Sequence, residues 1–214
     1  MTEDEARAWL AENFDVSRET WEKLEAFATF LKAEAQHQNL VSAATLDHIW
    51  ARHIVDSAQL LRFSPGHGDW LDLGSGAGFP GLIVPMLSNH RVVLVESRAK
   101  RIDFLERAIE MLAMEDIAVV AGMPLERLKT APYSVISARA FAPLPRLLEL
   151  SFRFSTDNTM WLLPKGRNAV HELDDVRDRW NLDFAVESSI TDGEAGILTG
   201  RVLGARSQGQ VEGR

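Results

Sequence analysis

The stretch Leu71-Asp72-Leu73-Gly74-Ser75-Gly76-Ala77-Gly78-Phe79-Pro80-Gly81-Leu82 decides the fold, and two overlapping patterns fit it. Gly76 to Gly81 matches G-x-G-x-x-G, the dinucleotide fingerprint. Gly74, Gly76 and Gly78 instead form a G-x-G-x-G loop closing a strand that carries Asp72. A dinucleotide loop starts directly at its strand end, and here Gly74 and Ser75 intervene before Gly76. A carboxylate at the strand end also suits a ligand bearing an amino group better than a pyrophosphate. Missing side chains let the backbone approach such a ligand, and a following helix offers free amides.

Working outward, short apolar strand candidates at 70–73, 92–96, 117–120, 133–138 and 160–163 alternate with helix candidates at 81–87, 98–112, 144–152 and 169–180. Alternation of this kind predicts βαβ units and a mostly parallel sheet covered on both faces. Two further strand candidates, 184–190 and 197–203, are joined by a connection too short for a helical crossover, so this pair is expected to be antiparallel. Glu96 ends the strand after the glycine loop, where a carboxylate can accept both ribose hydroxyls of an adenosine. The glycines, Glu96, the antiparallel finish and the lack of a second substrate domain favour S-adenosylmethionine over a nicotinamide dinucleotide.

Before the sheet, Ser17 is placed to cap a helix with Trp21, Leu24, Phe27, Ala28 and Leu31 at helical spacing. A second amphipathic helix is expected at 46–61, and 63–68 reads as a linker. The chain thus divides into a helical N-terminal element at 1–65, a ligand-binding domain at 66–205 and a loose tail at 206–214.

Composition sets limits. The 214 residues carry a net charge of −8, and the acidity concentrates before position 65. A generic nucleic-acid binder is basic, so any nucleic-acid contact must use a local basic patch. There are no cysteines, which excludes disulfides, thiolate metal sites and a cysteine nucleophile. No H-E-x-x-H pattern occurs, so no metal is expected. No run is apolar enough to span a bilayer and no basic-then-hydrophobic leader is present, so the expectation is a cytoplasmic protein without membrane attachment.

Several segments together resemble the RsmG (GidB) family: Asn39-Leu40-Val41-Ser42, Trp50 to Ser57 (WARHIVDS), the glycine loop, Glu96 to Arg101 (ESRAKR), Ile136 to Phe141 (ISARAF) and Leu163-Pro164-Lys165-Gly166. The resemblance implies a Rossmann-like class I S-adenosylmethionine methyltransferase fold with a helical N-terminal extension. It also implies methylation of a guanine N7 in the 530 loop of 16S ribosomal RNA by a monomer, on the small ribosomal subunit or its precursor. Gly74, Ser75, Gly76, Gly78, Phe79 and Glu96 would then hold the cofactor, Leu125 and Glu126 would flank the adenine, and Arg139 would sit where cofactor and substrate meet. Two departures stand out. The turn Gly193-Glu194-Ala195-Gly196 lacks the family's basic residues, and Ala138 separates Ser137 from Arg139.

Arg139 and Lys165 are the candidate catalytic residues, each following a strand on the rim where α/β active sites lie. Arg139 could grip a phosphate or a base; the bland alternative is a salt bridge to Glu126 or Glu149. Lys165-Gly166-Arg167 places two charges there, as phosphate contacts or as a solvated loop. His53 and Asp56 share a helix face, and a structural pair is favoured over a catalytic one, because a guanine N7 already has a lone pair and needs no base. Arg98, Lys100, Arg101 and Arg107 cluster along one helix. The other readings are a methyltransferase acting on a small molecule or a protein, and a non-catalytic ribosome-assembly module.

Overall fold

A computed structural model describes residues 1–206; the tail expected at 206–214 lies, beyond its first residue, outside them. The chain opens with α1 (Glu3–Asn13), whose N-terminus is closed by a capping box. The Thr2 hydroxyl accepts from the Glu5 amide, and the Glu5 carboxylate accepts from the Thr2 amide. Ser17 caps α2 (Arg18–Glu34) as the sequence predicts, accepting from the Thr20 amide, and Leu24, Phe27, Ala28 and Leu31 form its buried stripe.

The helix expected at 46–61 is irregular. A 3₁₀ turn (Ala43–His48) leads into a π-helical turn (Trp50–Val55), a short α3 (Asp56–Ala58) and another 3₁₀ turn (Gln59–Phe63). The Glu3 carboxylate binds its opening from 47 residues away in sequence, accepting from the amides of Trp50 (3.1 Å) and Ala51 (2.9 Å).

Seven strands form one sheet: β1 (His67–Leu73), β2 (Asn89–Glu96), β3 (Ala118–Gly122), β4 (Val135–Ala138), β5 (Met160–Gly166), β6 (Trp180–Ser188) and β7 (Gly196–Ala205), in the order β3-β2-β1-β4-β5-β7-β6. The first five run parallel, and β7 is antiparallel to both β5 and β6. Helices α4 (Ile83–Leu87), α5 (Ala99–Met111), α6 (Leu144–Ser151) and α7 (Ala169–Asp174) fill the connections. The linker expected at 63–68 ends earlier, since His67 and Gly68 already pair with β2. The helix expected at 169–180 stops at Asp174; Trp180, wedged against Phe152, begins β6 instead.

Alternation along the strands divides the core. Trp70, Val92 and Leu94 pack with α1, α2, the 43–63 segment and α4, whereas Leu71, Leu73 and Ile136 pack with α6 and α7. No helix among the described residues is long and apolar enough to cross a membrane. The strand order reverses between β1 and β4, and open α/β sheets bind ligands at such a switch point. Register sharpens this. Leu73 pairs with Val95 on one side and Ala138 on the other, so Glu96, Gly74 and Arg139 all emerge side by side at one edge.

Candidate functional site

Beyond Leu73 the chain turns sharply. Gly74, Gly76 and Gly78 adopt φ of +67°, +55° and +84°, a left-handed region open to glycine at little cost. The Gly74 and Ser75 amides donate to the Val95 carbonyl at 2.9 and 3.1 Å, and the Ser75 hydroxyl donates to the Asp72 carbonyl, which fastens the loop to β2. Glu96 is 6 % exposed. Its Oε1 accepts from the Ser97 and Arg98 amides (2.7 and 2.9 Å) and its Oε2 from the Gly76 amide (3.2 Å). Arg101 approaches Oε2 at 3.7 Å. A carboxylate has about four acceptor sites, so Glu96 as held retains room for one hydroxyl, on Oε2, where the sequence suggested two.

A cavity of about 190 Å³ opens over this carboxylate, lined by Gly74, Glu96, Arg98, Arg101, Leu125 and Phe141, among others. Of the residues expected at the cofactor, Gly74, Glu96 and Leu125 line it, and Gly76 holds Glu96. Ser75 is buried behind the loop. Gly78 and Phe79 work on the opposite side. A Cβ at Gly78 would lie 2.6 Å from Leu82 Cδ1, and the Phe79 ring packs on Phe27 and stacks on His53. Glu126 is exposed and pairs with Arg146 at 3.5 Å.

Below the loop, Asp72 is fully buried and lies directly across from Ser137. Trp70 Nε1 donates to Ser137 Oγ, and Ser137 Oγ donates to Asp72 Oδ1, both at 2.7 Å; Oδ2 has no partner among the described residues. Burial pushes its carboxyl up from the ordinary range, against the Ser75 and Ser137 hydroxyls and the charge of Arg139.

Arg139 forms a different kind of assembly. Its guanidinium donates to His53 Nδ1 (3.0 Å) and pairs with Asp56 Oδ2 (3.3 Å), with its Cζ 5.2 Å from the Phe79 ring centre. The salt bridge to Glu126 or Glu149 is not formed; Arg139 is held by Asp56, and both those carboxylates lie against Arg146. His53 and Asp56 do not bond each other; they converge on Arg139. A guanidinium is donor-only, so Nδ1 must accept and Nε2 carries the proton, donated to Thr45 Oγ1 at 2.9 Å, which passes its own to the Ser42 carbonyl. Burial, then the charges of Arg139 and Arg52, lower the imidazole to about 3. It is neutral, with both nitrogens engaged. Asp56 Oδ1 meanwhile accepts from Gln59 and from Thr191, tying the β6–β7 turn to the helical segment.

The solvated-loop reading fails for Lys165. Its side chain is 6 % exposed, and Nζ reaches Glu172 Oε2 at 3.0 Å and the Ala142 carbonyl at 3.2 Å. Arg167 is exposed and pairs with Glu194. Arg139, Lys165, Asp56 and Glu172 line a cavity of about 610 Å³ that shares Ala140 and Phe141 with the smaller one. Ala140 has a left-handed φ of +52°, and a Cβ on Gly74 would lie 2.6 Å from Phe141 Cδ2, so a strained turn separates the two spaces. On α5, Arg107 is consumed by Glu34 and Asp103, whereas Arg98 and Lys100 make no salt bridge among the described residues. Periodicity singles out none of Thr45, Glu172 and Thr191; the first two lie eight and seven residues from His53 and Lys165, and Thr191 lies 135 residues from Asp56.

Comparison with known proteins gives the same fold and a family. Solved structures of similar fold include one described as a putative S-adenosyl-L-methionine-dependent methyltransferase from Methanococcus maripaludis (TM-score 0.59, 12 % identity, 80 % of this chain and 93 % of that one). Another is TYW2 of M. jannaschii in complex with AdoMet (TM-score 0.54, 11 % identity, 72 % and 76 %). Among curated relatives, the ribosomal RNA small subunit methyltransferase G of Sphingopyxis alaskensis is 54 % identical over 91 % of this chain and 84 % of its own length. That of Rhizorhabdus wittichii is 52 % identical over 98 % and 97 %. The family model GidB, rRNA small subunit methyltransferase G, matches residues 20–199. The chain belongs to the GidB family of small-subunit ribosomal RNA methyltransferases.

Proposed function

We propose that this chain transfers a methyl group from S-adenosylmethionine to N7 of a guanine in the 530 loop of 16S ribosomal RNA, on the small subunit or its precursor, acting as a cytoplasmic monomer. The observation that carries the reading is the pair of adjoining cavities. One is set over Glu96 and the glycine loop, the other is walled by Arg139 and Lys165, and they meet at Ala140 and Phe141.

The residues present fit the cofactor. Glu96 Oε2 retains an acceptor site for a ribose hydroxyl, Leu125 offers an apolar face to the adenine, and Gly74 leaves backbone uncovered where a Cβ would block approach. Asp72 places a buried carboxyl group beneath the loop. When bound, the cofactor supplies an electrophilic methyl group. The protein's own contribution is positional, and orientation of this kind can supply several kcal/mol. Guanine N7 attacks with an existing lone pair, so no proton need be removed. The neutral His53, with both nitrogens engaged, is suited to holding Arg139 and unsuited to acting as a base. Arg139 and Lys165 are positioned to bind the target nucleotide's oxygens, and the carboxylates of Asp56 and Glu172 offset the positive charge that the base acquires on methylation.

The test is direct. Small subunits from cells lacking the gene are incubated with purified protein and methyl-labelled cofactor, and the labelled nucleotide is mapped. Label at one N7-methylguanine of the 530 loop is expected; RNA without label, or label at another atom, overturns the reading.

A further inference from the structure

The Lys165–Glu172 pair has hydrogen-bonding capacity left over on the cavity side. An ammonium has three donors, and Lys165 Nζ spends two, on Glu172 Oε2 and the Ala142 carbonyl. Glu172 Oε2 is saturated: it accepts from Lys165 at 3.0 Å and from the Leu144 amide at 2.9 Å, which also closes the N-terminus of α6. Glu172 Oε1 carries no hydrogen bond among the described residues. Both side chains line the larger cavity. One donor and one acceptor are therefore left beside each other, on a lysine whose side chain is 6 % exposed.

Between the two purines, that leftover pattern matches guanine; uracil offers the same acceptor–donor pair at O4 and N3–H but has no N7 to methylate. Guanine presents an acceptor at O6 next to a donor at N1–H, whereas adenine presents a donor at N6 next to an acceptor at N1. We infer that Lys165 and Glu172 together read the target base as guanine, Lys165 Nζ donating to O6 and Glu172 Oε1 accepting from N1–H. O6 neighbours N7 on the purine, so a base gripped in this way carries its reacting nitrogen beside the Lys165 side of the cavity, toward the shared wall at Ala140 and Phe141. Adenine is rejected twice: its amino group meets a cation with no acceptor, and its N1 lone pair meets a carboxylate. A site built to hydrogen-bond a substrate group discriminates strongly against the analogue that leaves its buried partners unmatched. Glu172 is then a specificity-determining residue supplied by α7, and its bond to the Leu144 amide fixes the rotamer. The inference rests on the proposed guanine target.

Glu172→Gln tests it. The single amide oxygen of glutamine is taken by Lys165 and the Leu144 amide, which turns the NH₂ toward the base where an acceptor is needed. Small subunits reconstituted with ribosomal RNA carrying guanine, inosine or adenine at the target are compared by equilibrium competition binding in the presence of S-adenosylhomocysteine, and by turnover. The wild type is expected to bind guanine and inosine alike, because inosine keeps both O6 and N1–H, and to bind adenine at least about tenfold more weakly. In Glu172→Gln the guanine-to-adenine binding ratio should fall to within about twofold, and guanine turnover by about 10- to 100-fold, with cofactor affinity unchanged. A merely structural pair would weaken all three RNAs equally, and an unchanged ratio overturns the inference. If the wild type places no methyl on guanine N7 at all, the proposed function fails instead, so the two failures are distinguishable.

Discussion

The two cavities at the carboxyl edge of the sheet are built by different means. Around the glycine loop the work is done by backbone. Three amides hold the Glu96 carboxylate, two more fasten the loop to the Val95 carbonyl, and every partner lies within about two dozen residues in sequence. Around Arg139 the work is done by long side chains whose partners come from remote segments: His53 and Asp56 are 86 and 83 residues from Arg139, and Thr191 is 135 residues from Asp56. A site made of backbone is fixed once the chain turns, and it fails when a side chain is added. A site made of paired side chains depends on each partner, and it fails when a side chain is removed.

The sharpest way to break the side-chain half is Arg139→Ala. It should lower kcat/KM on small subunits at least about 100-fold, equivalent to about 2.7 kcal/mol. Cofactor affinity measured by calorimetry should move less than tenfold. Equal losses in both would place Arg139 in the glycine-loop half. Adding one carbon breaks the other half. Gly74→Ala puts a Cβ 2.6 Å from Phe141 Cδ2 on a residue at φ +67°. The left-handed backbone alone costs about 1–2 kcal/mol, so cofactor affinity should fall by about tenfold or more, with a lower Tm.

Acid separates the halves through His53. Its folded pKa of about 3 lies below the ordinary 6.5, so the unfolded chain takes up a proton that the folded chain refuses. The stability this neutral imidazole contributes is complete above pH 6.5 and is lost as pH falls toward about 3, at up to about 1.4 kcal/mol per pH unit. His53→Gln keeps an acceptor for Arg139 and a donor for Thr45 but cannot titrate. Urea unfolding from pH 7 to pH 4 should show a shallower decline in the variant, and a wild-type turnover profile with an inflection near 6.5 would contradict the neutral tautomer. Smallest of all, Glu194→Gln removes an exposed partner of Arg167 and should change stability by less than about 0.5 kcal/mol.

The same contrast explains what the sequence made legible. The alternation from Trp70 onward, the antiparallel finish and the glycine loop are local patterns, and they read correctly from spacing alone. Helix α1 also had a local signal, the Thr2–Glu5 capping box, which hydrophobic periodicity does not weigh. The segment at 43–63 reads as one amphipathic helix because Ile49, Trp50, His53 and Ile54 recur at helical intervals. The π turn within it answers to distant groups, the Glu3 carboxylate at its start and Arg139 at its side. Lys165 was expected just after a strand ending at 163, whereas β5 runs on through Gly166 and carries it; its burial was not legible, since Glu172 approaches from a helix whose end the pattern overran. Arg139 was singled out correctly as a strand-end cation, and its carboxylate partner came from the N-terminal segment rather than from the neighbouring Glu126 or Glu149.

One early contact has a practical edge. The Glu3 carboxylate secures the opening of the turn that carries His53, and His53 together with Asp56 secures Arg139. Residues three to five from the amino terminus are where laboratory handles are usually attached. A fusion that crowds the residues before Glu3, or their removal, would loosen an arginine that no inspection of the glycine loop would implicate, and the preparation would bind cofactor normally while turning over poorly. A purification handle belongs beyond Arg206, whose amide and guanidinium still bond the Arg179 and Trp180 carbonyls.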